Sequence, residues 1–336
     1  MDNFNYELYA KNRMSWKDFL AKNDFSLKAL VKFNNTRILN KSFFKDISFI
    51  YRVLVNRKDF YFFLNKLKEP QLYPLAETDD SILFKVLRPY ELARYSVRER
   101  IVAITQHYEI LNQYLPDDII NQIYTADGVE IGSYVPTEAI PLNYKIITHF
   151  SKTHRREGEF AISIVKKTFL ENSNIETTER IFSIAFNLGF INNKKTLKIN
   201  AIQGCTPHLS EPQKEINNVT KLGFGLMPKY LLMSIAFKLA EIFECNEVLA
   251  IRKESHVFNN HHYKNKMQND FKNDYDKQWL DFSPKEFDKD YYSVYPMIRT
   301  PIEEIPSKKR SQHKKRYAFL DQIINNVEEI FTRKQK

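Results

Sequence analysis

Glycine is scarce in this chain, at seven in 336 residues, or about 2% against a typical ~7%. Phosphate-cradling loops need glycine where the backbone closes on the ligand. None of the seven stands in G-x-x-x-x-G-K or G-x-G-x-x-G spacing. The one G-x-G, Gly223 and Gly225, has Pro228 where a third glycine would stand. A P-loop nucleotidase and a dinucleotide-binding fold are both disfavoured. Cysteine is scarcer still: Cys205 and Cys245 have no C-x-x-C partner and read as reduced thiols of a cytosolic protein. No run of 18 residues lacks a charge, and the most apolar stretch, Phe43 to Leu64, carries Lys45, Asp46, Arg52, Arg57, Lys58 and Asp59. A spanning helix would bury all of them in hydrocarbon, so none is expected. Met1 to Ala10 carries Asp2 and Glu7 and no apolar core, so no secretory leader is expected and the location reads as cytoplasmic.

What is present is a folded composition, 43% hydrophobic and 27% charged. The net charge of +10 is local. Lys308, Lys309, Arg310, Lys314, Lys315 and Arg316 contribute six positives with no acid among them, leaving 10 − 6 = +4 on the remaining chain. Such a block reads as a solvated connector, or as a contact for anionic lipid headgroups at the inner membrane or for nucleic acid. Because the excess is not spread over a face, nucleic acid is the weaker reading.

Periodicity predicts an α+β protein. Residues 1 to about 70 read as helical, with Phe43, Phe44, Ile47, Ile50, Val53 and Leu54 at helical spacing, before Pro70 and Pro74 interrupt. Ser96 and Glu99 form a capping box for a helix through Ile101, Ile104, His107 and Leu111. Another short helix follows Pro116. Alternation then predicts strands at 159–168, 180–190 and 195–204, the last two joined as an antiparallel hairpin through Asn192 and Asn193. A helix over 226–243 and a short strand over 248–251 come next. Beyond Asp276 the prolines predict loop, and a last amphipathic helix spans about Tyr317 to Phe331. The domains read as a helical region 1–125, an α+β domain 150–300, and a basic connector with C-terminal helix 301–336, with the boundary near 126–150.

Four clusters could carry chemistry. Lys85, Arg88 and Tyr90, followed by Arg94, Arg98 and Arg100, offer guanidinium forks for a carboxylate or phosphate, or simply exposed helix cations paired with Glu91 and Glu99. His107 beside Tyr108 is either a general base or a hydrogen-bonded core residue. Gln203, Gly204 and Cys205 end a strand, the usual place for a ligand in such folds, and Thr220 and Lys221 lie on the way to the next helix. Cys205 fits an inert thiol better than a nucleophile. His256, His261 and His262 follow the last strand, but H-x-x-x-x-H-H matches no standard zinc spacing, so His256 reads as an acid or base and no metal is expected.

Lys85-x-x-Arg88-Pro89-Tyr90, Ser96-Val97-Arg98-Glu99-Arg100, His107-Tyr108, Gln203-Gly204, Thr220-Lys221, Gly225-Leu226-Met227-Pro228-Lys229, Ser255-His256-Val257 and Asp274-Tyr275-Asp276-x-x-Trp279 occur in this order. Between about Tyr73 and Pro296 the chain thereby resembles the bacterial VirK/YbjX family, departing from it at Met227, where that family often carries arginine. The resemblance implies a link to virulence, to surface localisation of a virulence factor and to resistance to cationic antimicrobial peptides. It implies no particular reaction. Topology adds that antiparallel strands, a helix and then a parallel strand follow the acyl-CoA N-acyltransferase (GNAT) arrangement. On that reading an acyl-CoA or acyl-carrier protein is the donor and an envelope or peptide group the acceptor. His107 or His256 is then the base, and Lys85, Arg88, Tyr90, Arg98, Gln203, Gly204, Thr220 and Lys221 contact substrate or anion. The alternative is a non-catalytic assembly factor using the same groove.

Overall fold

The computed structural model describes residues 51–69, 82–124, 128–150, 154–169, 176–205, 209–263 and 274–333. The expected helices before residue 51, and Pro70 and Pro74, lie outside them. The chain divides into two compact units, Met1–Pro89 with Tyr95–Thr105, and Tyr90–Arg94 with Gln106–Lys336.

The first unit is helical where it is described. Helix α1 (Arg57–Lys66) buries Phe60, Phe63 and Leu64, and a single turn, α2 (Ile82–Lys85), follows. Helix α3 (Val97–Tyr114) starts in this unit. Its capping box is formed as the spacing predicts: Glu99 N donates to Ser96 Oγ at 3.3 Å and Ser96 N to Glu99 Oε2 at 2.7 Å. Arg100 donates to Tyr95 O at 2.6 Å and Val86 O at 3.3 Å. A buried loop carbonyl thus finds a charged donor.

The second unit is built on a mixed sheet, so the fold class is α+β. After α4 (Asp117–Ile123) come β1 (Val129–Ser133), β2 (Asn143–Phe150), β3 (Phe160–Phe169), β4 (Glu176–Ile191) and β5 (Lys194–Gln203). Helices α5 (Pro212–Leu222) and α6 (Pro228–Ile242) lead to β6 (Glu247–Ile251). Then follow α7 (Tyr275–Trp279), β7 (Lys285–Glu286), β8 (Tyr291–Ser293) and α8 (Ser307–Phe331). The sheet order is β1-β2-β3-β4-β5-β6-β8-β7, antiparallel throughout except for β5 and β6. The β4–β5 hairpin forms where alternation places it, and Asn192 and Asn193 turn it with φ of 50° and 62°. Such a turn demands residues that tolerate the left-handed region. Helix α6 buries Leu231, Leu232, Ile235, Ala236 and Leu239, packing on β3 to β6, while α8 covers α6 and β1.

Several elements differ from the expectation. Residues 126–150, read as a boundary, carry β1 and β2. Helix α5 occupies a stretch to which periodicity assigns no element, because Ile216, Val219 and Leu222 stand alone among polar neighbours. Strands β7 and β8 are two and three residues long, too short for alternation to register. Helix α8 begins ten residues before the expected Tyr317, so the basic block is helical. Pro306 pre-sets its start, and Arg310 folds back to Ile305 O and Glu303 O, each at 2.8 Å. Among the described residues no helix is long and apolar enough to cross a membrane.

Candidate functional site

Two features of the sheet prepare the site, both in the second unit. Strand β4 outruns β3, whose pairing starts at Phe160↔Phe186. The N–H groups beyond that point need other acceptors. Leu188 N donates to His107 Nδ1 at 3.0 Å and Phe190 N to Gln106 Oε1 at 3.2 Å. Strands β5 and β6 pair over only four positions, from Thr196↔Glu247 to Ile199↔Ala250, and β5 continues to Gln203. The parallel ladder thus ends before β5 does.

A buried carboxylate lies across those strand ends. The turn before β3 carries His154 and Glu157, closed by Glu157 N and Gly158 N donating to His154 O. A Cβ on Gly158 would lie 2.9 Å from Phe186 N and O, so glycine lets this turn press against β4. Glu157 Oε1 accepts from Gln203 Nε2, at the end of β5, at 3.0 Å. The same oxygen lies 3.2 Å from Nε2 of His256, which follows β6. His154 Nδ1 meets Oε2 at 3.0 Å.

The proton positions follow from the partners. Arg180 NH1 donates to His154 Nε2 at 2.8 Å, so that nitrogen holds the lone pair and Nδ1 the hydrogen that faces Glu157. Phe258 N donates to His256 Nδ1 at 3.3 Å, leaving the His256 Nε2 hydrogen for the same carboxylate. Burial pushes the Glu157 carboxyl up, but hydrogen bonds from His154 and His256 outweigh it and hold the group at about 2. Ser183 Oγ lies 2.7 Å from His154 Nε2. His256 stacks on Tyr275 at 4.8 Å between centroids, and Trp279 Nε1 donates to Ile251 O at 2.8 Å, fixing the helix that carries Tyr275. Glu157, His154, Ser183 and His256 are buried, whereas Arg180, Gln203, Gly204 and Cys205 are partly exposed.

A second buried carboxylate, Glu91, sits at a φ of 59°. It forms an ion pair with Lys198, accepts from Asn187 Nδ2 at 2.7 Å, and lies 3.2 Å from the Tyr291 hydroxyl. Tyr90 OH donates to Asn187 Oδ1 at 3.0 Å. Burial, then the charges of Glu159 and Glu91, raise the Tyr90 phenol well above its usual range. Segment 90–94 ties the two centres together: Glu91 N donates to Arg156 O at 2.7 Å, and Leu92 bridges to His256. Arg94 Nε then grips both Asp290 oxygens at 3.0 Å.

Of the residues singled out from sequence, Gln203 and His256 meet on Glu157, and Tyr90 joins the Glu91 centre. His107 satisfies the β4 backbone. Thr220 Oγ1 donates to Ile216 O at 2.7 Å within α5; Lys221 is exposed, and a Cβ added at Gly204 would meet only Ile216, at 4.0 Å. In the first unit, Lys85 ends α2 half-buried and Arg88 is exposed, while Arg98 pairs with Asp59 at 3.5 Å and lies 3.8 Å over the Phe62 ring. Glu157, His154, Ser183, Arg180, Glu91 and Lys198 were not legible as a site. The one local signal was His154-x-x-Glu157, a spacing that stacks two side chains in a turn. Among the described residues no three His, Cys, Asp or Glu side chains are grouped to hold a metal ion.

Fold and site define an α+β protein whose mixed sheet holds a buried carboxylate–imidazole centre at the end of the parallel β5–β6 pair. The chain belongs to the family described as "Protein of unknown function (DUF535)", which it matches over residues 39–329. It is similar to the "Uncharacterized protein YbjX" of Escherichia coli (strain K12), 25% identical over 84% of this chain and 82% of that protein. It is also similar to an "Uncharacterized protein" of Haemophilus influenzae (strain ATCC 51907 / DSM 11121 / KW20 / Rd), 26% identical over 70% of this chain and 73% of that one. No solved structure matches.

Proposed function

We propose that this protein is an acyl-transfer enzyme of GNAT-like arrangement, taking its acyl group from a thioester and passing it to an amine or hydroxyl on an envelope or peptide acceptor. The observation that carries this reading is the Glu157 carboxylate, held by Gln203 after the parallel ladder of β5 and β6 has ended and by His256 beyond β6. In GNAT-like sheets the donor enters where two parallel strands part. Transfer requires an acceptor that loses a proton as it attacks, and a thiolate that gains one as it leaves. An imidazole backed by a carboxylate serves both steps. His154 supplies the lone pair, Glu157 holds its ring, and His256 holds Glu157 from the other side. The sheet lacks a glycine-rich pyrophosphate loop of standard spacing, which favours an acyl-carrier protein or another thioester over free acyl-CoA. A role in survival against cationic antimicrobial peptides is what the family resemblance adds.

The test is thermal shift and thiol release with acyl-CoA and acyl-carrier protein. A donor at 100 times its dissociation constant is expected to stabilise the fold by about 2.7 kcal/mol and raise the midpoint. Midpoints unmoved by every thioester, with no thiol released, would sink the reading.

A second reading concerns location. Lys308, Lys309, Lys314 and Lys315 are all exposed on α8, and Ile298 is 94% exposed with Met297 at 50%. Exposed lysines on α8, together with exposed aliphatic side chains in the segment before it, suit an anionic bilayer surface better than nucleic acid. We propose peripheral contact there, checked by sedimentation with phosphatidylglycerol against phosphatidylcholine vesicles. Equal binding to both would remove it.

A further inference from the structure

A row of side chains crosses one face of the sheet through cross-strand partners: Ser163 on β3 opposite Ser183 on β4, and Ser183 opposite Gln203 on β5. Two of these residues are serines bonded to histidines, and the two histidines differ in what lies behind them. Ser163 Oγ lies 2.8 Å from His149 Nε2, whose Nδ1 bonds the backbone oxygen of Phe150 at 2.9 Å. Ser183 Oγ lies 2.7 Å from His154 Nε2, whose Nδ1 faces the Glu157 carboxylate at 3.0 Å. The second arrangement is a hydroxyl, a base with its lone pair toward that hydroxyl, and a carboxylate that fixes the ring. Those are the three parts that activate a serine, recognised by geometry rather than by chain order.

We infer that Ser183 is a nucleophile and carries the acyl group as an ester between donor and acceptor. This rests on the acyl-transfer reading and deepens it from direct to two-step transfer. In the first step the Ser183 proton passes to His154 Nε2 while Oγ bonds the thioester carbonyl carbon. The C–S bond breaks, and the thiolate leaves with the proton from the imidazolium. In the second, the acceptor amine or hydroxyl attacks the ester and gives its proton to His154, and the C–O bond to Ser183 breaks as Oγ takes that proton back. Glu157 and His256 are positioning residues here. No electrons change hands, and the only co-reactants are the thioester and the acceptor.

Arg180 makes the centre conditional. Its NH1 occupies the same His154 lone pair at 2.8 Å, in competition with the serine hydroxyl. Ser183 is itself buried, whereas Arg180 and Gln203 are partly exposed, so the way in leads past them. An anionic group on the incoming donor draws the guanidinium off His154 and releases the base to Ser183. The resting protein holds its nucleophile locked.

A fluorophosphonate probe tests this without knowledge of the donor, since it bonds an activated serine through phosphorus and expels fluoride. Intact-mass and peptide mapping are expected to find the adduct on Ser183. Arg180→Gln should label faster, His154→Gln slower by about 100-fold or more, and Ser163→Ala at the wild-type rate. Ser183→Ala should lose the adduct and Ser183→Cys should instead trap a thioester, with circular dichroism verifying each fold. An adduct on Ser163 or elsewhere, or no adduct in Arg180→Gln, overturns the inference. Thioester turnover that survives in Ser183→Ala also overturns it, while leaving acyl transfer standing. Labelled Ser183 without consumption of any thioester instead leaves the nucleophile standing and removes the acyl donor.

Discussion

Two buried carboxylates of the sheet unit, Glu91 and Glu157, out of several there, are alike in burial and unlike in what neutralises them. Glu91 meets an ammonium, an amide and a phenol, all of which act as donors toward it. Glu157 meets two imidazoles, rings whose two nitrogens can exchange donor and acceptor roles, and one of them touches a serine and an arginine. Glu91 reads as a strut, Glu157 as a working group. Burial does not distinguish a site from a brace; the exchangeability of the partners does.

The largest effect on stability is expected at the strut. Glu91→Leu leaves Lys198 charged and buried, which typically costs about 3–5 kcal/mol, whereas the pair Glu91→Leu with Lys198→Met should recover much of that loss. Urea unfolding of the three variants measures it, and a double variant no better than the single would make Glu91 more than an ion-pair partner.

Acid unfolding sharpens the contrast. Glu157 titrates at about 2 in the fold against 4.5 for the free group, so the native state favours its ionised form. That contribution, on the order of 3 kcal/mol, is complete above about pH 4.5 and fades as the pH falls toward 2. Glu157→Gln should therefore flatten the acid limb of the stability profile between those values. An unchanged limb would mean that the histidines do not hold the carboxylate as described.

How much of this was open to a reader of the sequence depended on where each signal lies along the chain. The Ser96–Glu99 box, the Asn192–Asn193 hairpin and the helix through Leu231, Ile235 and Leu239 are local, and they formed where the pattern placed them. Strands β1 and β2, the short β7 and β8, and the polar helix α5 have patterns too weak or too brief to stand out. The site is harder still. Gln203 and His256 drew notice as residues at strand ends, but Glu157 is an unremarked residue in the charged run Arg155-Arg156-Glu157. Its meaning comes from two strands that meet it from 46 residues away, at Gln203, and from beyond β6. Ser183 is a small polar residue on an alternating strand, and nothing in its surroundings in sequence announces a histidine. His107 shows the reverse case. It stands out in the sequence and serves to satisfy a backbone amide that β3 does not reach.

Two smaller effects test the scaffold on either side of the comparison. Gly158→Ala forces a methyl against the β4 backbone beside Glu157, with an expected loss of about 1–3 kcal/mol and a displaced His154–Glu157 turn. In the helical unit, Ser96→Ala removes the cap of α3 and should cost about 1 kcal/mol without touching turnover. Thermal denaturation reads both, and a neutral Gly158→Ala would show that the turn can back away from β4.

The most direct measurement is thiol release from an acyl thioester by Glu157→Gln and Glu91→Gln, each corrected for its folded fraction. Glu157→Gln should remain folded at neutral pH and lose about 100-fold or more of the rate, while Glu91→Gln should lose stability and keep the rate per folded molecule. Equal rates per folded molecule in both variants and the parent would contradict this.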